Sequence, residues 1–376
     1  MILQNKEVVI NGDVIYDGCL IIVMRGGMKK IVLVILIVLG VTGVSTYTQN
    51  LVPLSVNKQY CFIDEHGTMI IPPMFDDAKK FSDGLAVVEM SEEQFVINKK
   101  GEKIFQISTD SKDAFSEGKL GVRIDGKWGY VDKNGDVVIE PNWDYVRSFS
   151  NGYALVKTDA GKYTYINHAG ESINNELYDT AYSFNEKLAV VGKKVTDSYY
   201  EQVPGRTARR KVTGIRKGVI NVKGELVIPY KFRITDAQFS DELLLVISKN
   251  DDHLTGYINK NGRFEIAPQF ENAGRFVNGI APATTDRLYG FIDKKGNFLV
   301  PEQFVELHSL SEGVSVFKKN GRYGYINKHG DIVIDNVFTF AASFENGLAF
   351  FRKGTDHGYI NHKGEVFWST DYYDEN

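Results

Sequence analysis

Cysteine is nearly absent from this chain: Cys19 and Cys61 are the two among 376 residues. No disulfide framework and no thiolate metal cluster can be built from them. A charge excess is missing too, since 44 Lys and Arg stand against 48 Asp and Glu, a formal net charge of -4. That excludes a field strong enough to gather nucleic acid or an anionic membrane. Long apolar runs are confined to residues 31–44, and these 14 residues fall short of the about 20 that a membrane-spanning helix needs. The seven histidines form no HExxH or HxxxH pair, and no Ser sits in a GxSxG elbow, so the zinc-protease and serine-hydrolase motifs are missing. What is present is apolar material: 43% hydrophobic and 12% aromatic residues supply a large packed core and exclude general disorder.

The single apolar run has the setting of a secretory signal. Residues 28–46, "MKKIVLVILIVLGVTGVST", place two lysines, the run and then small residues in the order of a signal peptide, with cleavage expected near Ser45 or Thr46. Retention as an uncleaved N-terminal anchor is the alternative, and it is the one expected route to a membrane. No Cys follows the run, which excludes a lipoprotein anchor. Residues 1–27 lie where a signal peptide should already have begun, so they read as a leader from an early start, with Met28 as the true start. The remaining divisions are a linker at 47–59, a repeat domain at 60–367 and a tail at 368–376.

The repeat shows in the turn glycines Gly67, Gly101, Gly135, Gly170, Gly224, Gly262, Gly296, Gly330 and Gly364, most of them 34 residues apart. A second landmark keeps the same phase: Phe81, Phe115, Phe149, Phe184, Phe239, Phe276, Leu310 and Phe344 follow 14 or 15 residues later. Two markers in register over eight units make the period real. Each unit, as in "WGYVDKNGDVVIEP" of 128–141, predicts a hairpin whose Gly supplies the positive φ of a tight turn. An irregular crossing segment and a third strand, "YALVK" at 153–157, complete it. Proline is expected to end the second strand, at Pro73, Pro141, Pro229, Pro268 and Pro301, because it cannot donate to the ladder.

The slots of the first strand differ in what they tolerate. The slot of Val131 is β-branched in all nine copies and the slot of Tyr130 is always apolar or aromatic, which predicts burial on both faces between neighbouring units. The Gly129 slot predicts close backbone approach. The Asp132 slot holds Asp or Asn throughout, and side chains of that kind start turns by bonding the backbone two residues on. The Trp128 slot accepts Gln94, Lys217, Thr255 and His357 as well as rings, so it lies at a rim rather than in the core.

The unit "WGYVDKNG", then "VIEP", then "FSNGYALV" resembles the WG repeat of bacterial, often exported proteins, over about residues 60–367. Units two, four and five depart from it, reading Gln94-Phe95, Tyr163-Thr164 and Lys217-Gly218 in place of Trp-Gly. The resemblance implies an all-β scaffold of tandem antiparallel hairpin or meander repeats, eight full units and a terminal hairpin. It implies a bias toward binding and brings no catalytic residue to carry over. The added C-terminal hairpin favours an open, curved array over a closed propeller-like ring.

Two surface features could carry binding. Tyr60, Trp128, Tyr163, Tyr289 and Tyr323 recur once per repeat and could form an aromatic stripe. An insertion at 193–216 reads as a loop carrying Arg206, Arg209, Arg210 and Lys211, a basic docking element for an acidic partner. The favoured expectation is an exported, non-enzymatic scaffold for protein–protein interaction at or outside the cell envelope. The alternative is a carbohydrate or cell-wall binding module using the stripe. No catalytic residue, metal, cofactor or nucleic-acid partner is expected.

Overall fold

The structure, a computed structural model, describes residues 50–370 apart from 57, 108–109, 113, 204–205, 235 and 248–252, with side chains at 197–212, 231 and 367–370 also left out. The chain divides into two units, Met1–Thr48 and Gln49–Asn376. Of the first, only two short hairpins are described, Val8–Ile10 with Asp13–Ile15 and Ile21–Val23 with Val32–Val34. The predicted leader 1–27 and export segment 28–46 otherwise lie outside the described residues, as do residues 371–376 of the tail.

Among the described residues the second unit is all-β, with nine antiparallel meander units, one for each turn glycine; the fifth and sixth share the strand Leu226–Ile234 in one seven-stranded sheet, so the nine make eight sheets. The turns form as the Asx pattern requires. Asp132 Oδ1 accepts the N–H of Asn134 at 2.8 Å and of Asp136 at 3.0 Å. The Asn members do the same, as Asn327 does for His329 at 2.9 Å and Asp331 at 3.0 Å.

Each sheet is offset from the sequence unit. Leu120–Ile124 turns back through Asp125 and Gly126, with φ of 49° and 83°, onto Lys127–Val131, so the strand that ends one sequence unit begins the next sheet. A two-residue turn closes that pairing with little loop entropy, and local pairing prevails. The eighth sheet shows the full form: Glu306–Leu307, Val314–Lys319, Arg322–Asn327 and Ile332–Phe338 in meander order. The predicted linker 47–59 is corrected by the same logic, since Val52–Val56 pairs antiparallel with Gln59–Ile63 and supplies the first sheet's opening strand.

Proline does not end the second strand. In the third sheet Trp128 pairs with Trp143 and Tyr130 with Ile139, so the proline strand bulges around Glu140–Asn142 and then resumes. The bulge hosts the residue that cannot donate and brings backbone against Gly129, where an added Cβ would lie 2.5 Å from the Ile139 carbonyl oxygen. The second sheet shows the converse. Its register is regular there, Phe95 opposite Gln106 and Val96 opposite Phe105, and Phe takes the glycine slot.

Both strand slots predicted as core are buried: Tyr130, Tyr165, Phe291 and Tyr325 on one face, Ile166, Ile258, Ile292 and Ile326 on the other. Each buried tyrosine of the Tyr130 slot satisfies its hydroxyl at a crossing-segment carbonyl, as Tyr130 does at Arg147 O at 2.6 Å and Tyr325 at Ala342 O at 2.7 Å. Burial removes the hydroxyl's hydration, so the Tyr130 phenol is pushed well above its ordinary pKa. The crossing phenylalanines cap these rings, Phe149 lying 4.9 Å from Tyr130 and Phe344 4.8 Å from Tyr325.

Beside Phe81, Phe115, Phe149, Phe184, Phe239 and Leu310, a tight turn ties its sheet to the next. Asp83, Glu117, Asn151, Asp241 and Glu312 sit in the left-handed region at φ of 50–56°. Their side chains accept the turn N–H of the following sheet: Gly118 to Asp83 at 2.7 Å, Gly152 to Glu117 at 3.0 Å, Lys187 to Asn151 at 2.7 Å, Gly279 to Asp241 at 2.6 Å and Gly347 to Glu312 at 3.0 Å. The chain of bonds continues across the inserted segment, from Glu186 to the N–H of Glu242 at 3.1 Å.

The expectation of an unsealed array holds for the backbone. Among the described residues no strand of the first sheet pairs with one of the last. The array nonetheless curves far enough for its ends to touch through side chains: Leu348 packs with Val52, Leu54, Cys61 and Ile63, with Tyr359 against the same cluster. Lys80 forms an ion pair with Glu345 across the same gap in sequence.

The insertion is a ribbon and not a loop. Leu188–Val203 pairs with Arg206–Asn221 in unbroken register, from Leu188 opposite Asn221 to Val203 opposite Arg206. The inserted residues continue the two central strands of the fifth sheet outward, extending a ladder whose register is set at its base by the buried Val190, Val191, Val219 and Ile220.

Candidate interaction surfaces

The five residues of the aromatic stripe are all half-buried, each at the bulged side of its sheet. Tyr60 pairs with Phe75, Trp128 with Trp143, Tyr289 with Phe304 and Tyr323 with Phe338. In the fourth sheet Tyr163 exchanges backbone hydrogen bonds with Tyr178, both at 2.9 Å. The members do not form a ladder of touching rings. Among the described residues no two members are in ring contact, and Tyr323 lies instead 6.2 Å from Phe340.

Three of the five rings carry an ammonium over the face. Lys112 Nζ lies 4.0 Å from the Trp128 ring centre and 4.1 Å from that of Tyr145; Lys318 lies 4.7 Å from Tyr323, and Lys157 5.7 Å from Tyr163. Such contacts are favourable at a partly desolvated rim. Tyr323 donates its hydroxyl to Glu306 at 2.9 Å, and Lys318 reaches the same carboxylate at 2.8 Å. The Lys318 hydrogen bond, with Tyr323 adding to it, holds Glu306 below its ordinary pKa. Tyr289 accepts from Asn272 Nδ2 at 2.8 Å.

Two turn histidines, His168 and His362, are less solvated than turn residues usually are, while His66 is 77% exposed. His168 stacks on Phe149 with centres 4.5 Å apart and meets Glu117 at 2.9 Å; His362 stacks on Phe344 at 4.1 Å. They serve the contact between consecutive sheets.

The stripe borders clefts between consecutive crossing segments. One of about 360 Å³ is lined by Lys112, Tyr145, Arg147 and Ser148, with Ser183 beyond. A second, of about 390 Å³, shares Tyr145 and Arg147 with it and adds Asp144, Lys157 and Tyr163. The equivalent cleft of about 350 Å³ between the seventh and eighth sheets is lined by Asn272, Tyr289, Glu306 and His308. Lys112, Tyr145, Arg147 and Lys157 were not singled out by the sequence. The signal was there in the slot two before the crossing phenylalanine, which varies as freely as the Trp slot, with Lys79, Arg147, Tyr182, Gly274 and His308.

Arg206, Arg209, Arg210 and Lys211 lie on the second arm of the ribbon, their backbone positions opposite Val203, Tyr200, Tyr199 and Ser198. The ribbon pairs with other strands at its base alone: Thr180 and Ala181 join one arm at Gly192 and Val191, and Phe232 joins the other at Lys217. Beyond these points, among the described residues, no further strand pairs with either arm.

Comparison with known proteins agrees with this geometry. The family model described as WG containing repeat matches residues 60–92, 95–128, 128–163, 256–288, 289–323 and 323–354, more than half of the chain. No curated protein matches by sequence. Among solved structures the fold is similar to the crystal structure of the eukaryotic initiation factor, with a TM-score of 0.57 at 10% identity, covering 87% of this chain and 96% of that one. BamB from Moraxella catarrhalis aligns at a TM-score of 0.34 and 12% identity, over 76% of this chain and 95% of that one. At 10% identity the first of these likenesses shows the fold alone.

Proposed function

Since the chain belongs to the WG containing repeat family, we propose that it is an exported, non-catalytic repeat scaffold that holds a protein partner at or outside the cell envelope. The observation that carries the reading is the ribbon. Its outer arms present backbone N–H and C=O groups along both edges, and unpaired edges are templates for a partner strand. Its cluster of Arg206, Arg209, Arg210 and Lys211 selects an acidic partner by charge.

The stripe supports the carbohydrate alternative less well. Sugar stacking uses the open face of a ring, and Trp128, Tyr163 and Tyr323 already carry lysines there. The Asx side chains likewise support a non-catalytic role, because their oxygens are engaged by turn N–H groups.

Affinity capture with the full chain from native envelope fractions tests the proposal. The expected result is a dominant protein whose capture falls with salt, is lost on Arg209→Gln with Arg210→Gln, and survives Trp128→Ala with Tyr323→Ala. Retention on an insoluble polysaccharide, lost in that second pair of variants, would overturn it in favour of the carbohydrate module. N-terminal sequencing of the exported product should read from near Ser45 or Thr46.

A further inference from the structure

The ninth sheet meets the first as a consecutive sheet would. Leu348 packs with Ile63, and the same two slots meet as Leu85 with Val131, Leu243 with Ile292, Ile280 with Ile326 and Val314 with Ile360. The first sheet therefore stands as the successor of the ninth. One part of the joint has no counterpart among the described residues. In six sheets a two-residue strand of the crossing segment pairs with the opening strand, as Phe340–Ala341 does with Arg352 and Phe351. The first sheet opens at Val52–Val56 with no strand on that side.

That edge carries the same acceptors as its siblings. In the second sheet the carbonyls of Val87 and Glu89 accept the N–H of Lys79 and Asp76, both at 2.8 Å. The matching slots of the first sheet are Pro53, opposite Phe62, and Ser55, opposite Tyr60. Among the described residues no crossing segment meets either carbonyl. Proline is no bar at this slot, since the Pro282 carbonyl accepts the Gly274 N–H at 2.8 Å. Ser55 is exposed and Pro53 half-buried, so the edge lies open. The ninth sheet bears a second mark. Tyr130, Tyr165, Tyr257 and Tyr325 are fully buried, and each donates its hydroxyl to a carbonyl of the crossing segment that follows. Tyr359, in the same slot, is half-buried and has no such partner among the described residues.

The chain that continues from the ninth sheet has the reach. In five sheets the two-residue strand starts two positions past the last pairing of the outer strand: Asp77 after Phe75, Tyr145 after Trp143, Asn272 after Phe270, Glu306 after Phe304 and Phe340 after Phe338. In the ninth sheet that pairing joins His357 to Thr370. The same step arrives at Tyr372 and Tyr373.

We infer that Tyr372–Tyr373 supplies the edge strand of the first sheet, Tyr372 opposite Ser55 and Tyr373 opposite Leu54, with the neighbouring N–H groups donating to Ser55 O and Pro53 O. The segment is tethered to a sheet already packed on the first, so pairing within the chain prevails over pairing with a second copy. An edge occupied in this way is closed to strands of other molecules.

Hydrogen exchange on the full chain reads the segment directly. At least two amides within 371–376 should exchange at least about ten-fold more slowly than in the unfolded chain, as paired backbone does; exchange at the unfolded rate throughout would overturn the inference. Ser55→Cys with Tyr372→Cys should form a disulfide within one chain under mild oxidation, because opposed strand positions lie within bonding distance. Disulfide-linked dimers in its place would give the edge to a second copy and overturn it as well. A chain terminated after Thr370 should exchange the amides of Val52–Val56 faster and leave those of Ile280–Asp286 unchanged; equal rates at Val52–Val56 would count against the pairing. Should that shortened chain fail to fold, exchange and cross-linking in the full-length chain decide by themselves.

Discussion

Glu306, Lys318 and Tyr323 show how a slot that tolerates many residues can still be tied down. The carboxylate accepts from both neighbours, at 2.8 and 2.9 Å, and its folded pKa lies below the ordinary value of 4.5, with the Lys318 hydrogen bond as the largest cause. A depressed folded pKa stabilises the fold above the unfolded value, and that contribution disappears as pH falls through the folded value. Replacing Glu306 by Gln should thus lower stability more at about pH 7 than at an acid pH low enough to protonate the carboxylate of the folded protein. Denaturant melts of the two proteins at each pH check this; equal losses at both would refute the electrostatic account. The side chain is 40% exposed, so the effect is screened and small. At this scale the sequence showed which slots are core and which are rim. It did not show what covers the rim, since Lys112 reaches Trp128 and Tyr145 from a crossing segment whose path no periodicity describes.

Among the elements, the bulged strand explains why glycine faces the strands of Pro141, Pro268 and Pro301. Where the strand bulges, Gly129, Gly256 and Gly290 meet backbone at 2.5, 2.6 and 2.3 Å from an added Cβ. Where it runs regularly, Phe95 fits. Gly129→Ala should therefore destabilise the third sheet by more than the about 1 kcal/mol spread of intrinsic strand preferences. Gly126→Ala meets no atom within 4 Å and strains its turn alone. Comparing the two melting temperatures separates close approach from turn geometry, and a smaller loss at Gly129 would contradict the contact. The sequence marked Gly129 and Pro141 correctly as special positions. It misplaced the strand's end because a proline that terminates a ladder and one that bulges it look alike without the register. The inserted segment was misread for a related reason: charged residues at 193–216 suggested a solvated loop, while the pairing of Lys194 with Ile215 and Thr196 with Thr213 continues a ladder begun in the core.

For the whole molecule, the meeting of its ends can be watched through one atom. Cys61 is fully buried, its thiol donates to the Leu54 carbonyl at 3.3 Å, and burial pushes its pKa up to about 11. At neutral pH it is a thiol and not a thiolate, so native labelling by a thiol reagent should be slow. Leu348, in the last sheet, is part of its cover. Leu348→Ala should quicken labelling of Cys61 in folded protein, and an unchanged rate would mean that the seam contributes no shelter. The nine-fold repetition, the hairpins and the buried faces were legible in the sequence because they recur. The contact between Leu348 and Val52 was not, since it joins the last sheet to the first, and no periodicity says how far the array curves.

The turn-to-turn bonds pass from Asn151 through Glu186 to Glu242 as if the ribbon were not there. The inserted residues thus extend a hairpin outward, with Lys193 and Lys194 at its base meeting Glu176 and Asp179. The tip at Val203 and Arg206 is in effect a port: cargo, a fluorophore or a tether could be spliced into it with the remaining sheets keeping their register, and the same freedom would let a lineage change what it grips while leaving the holder alone.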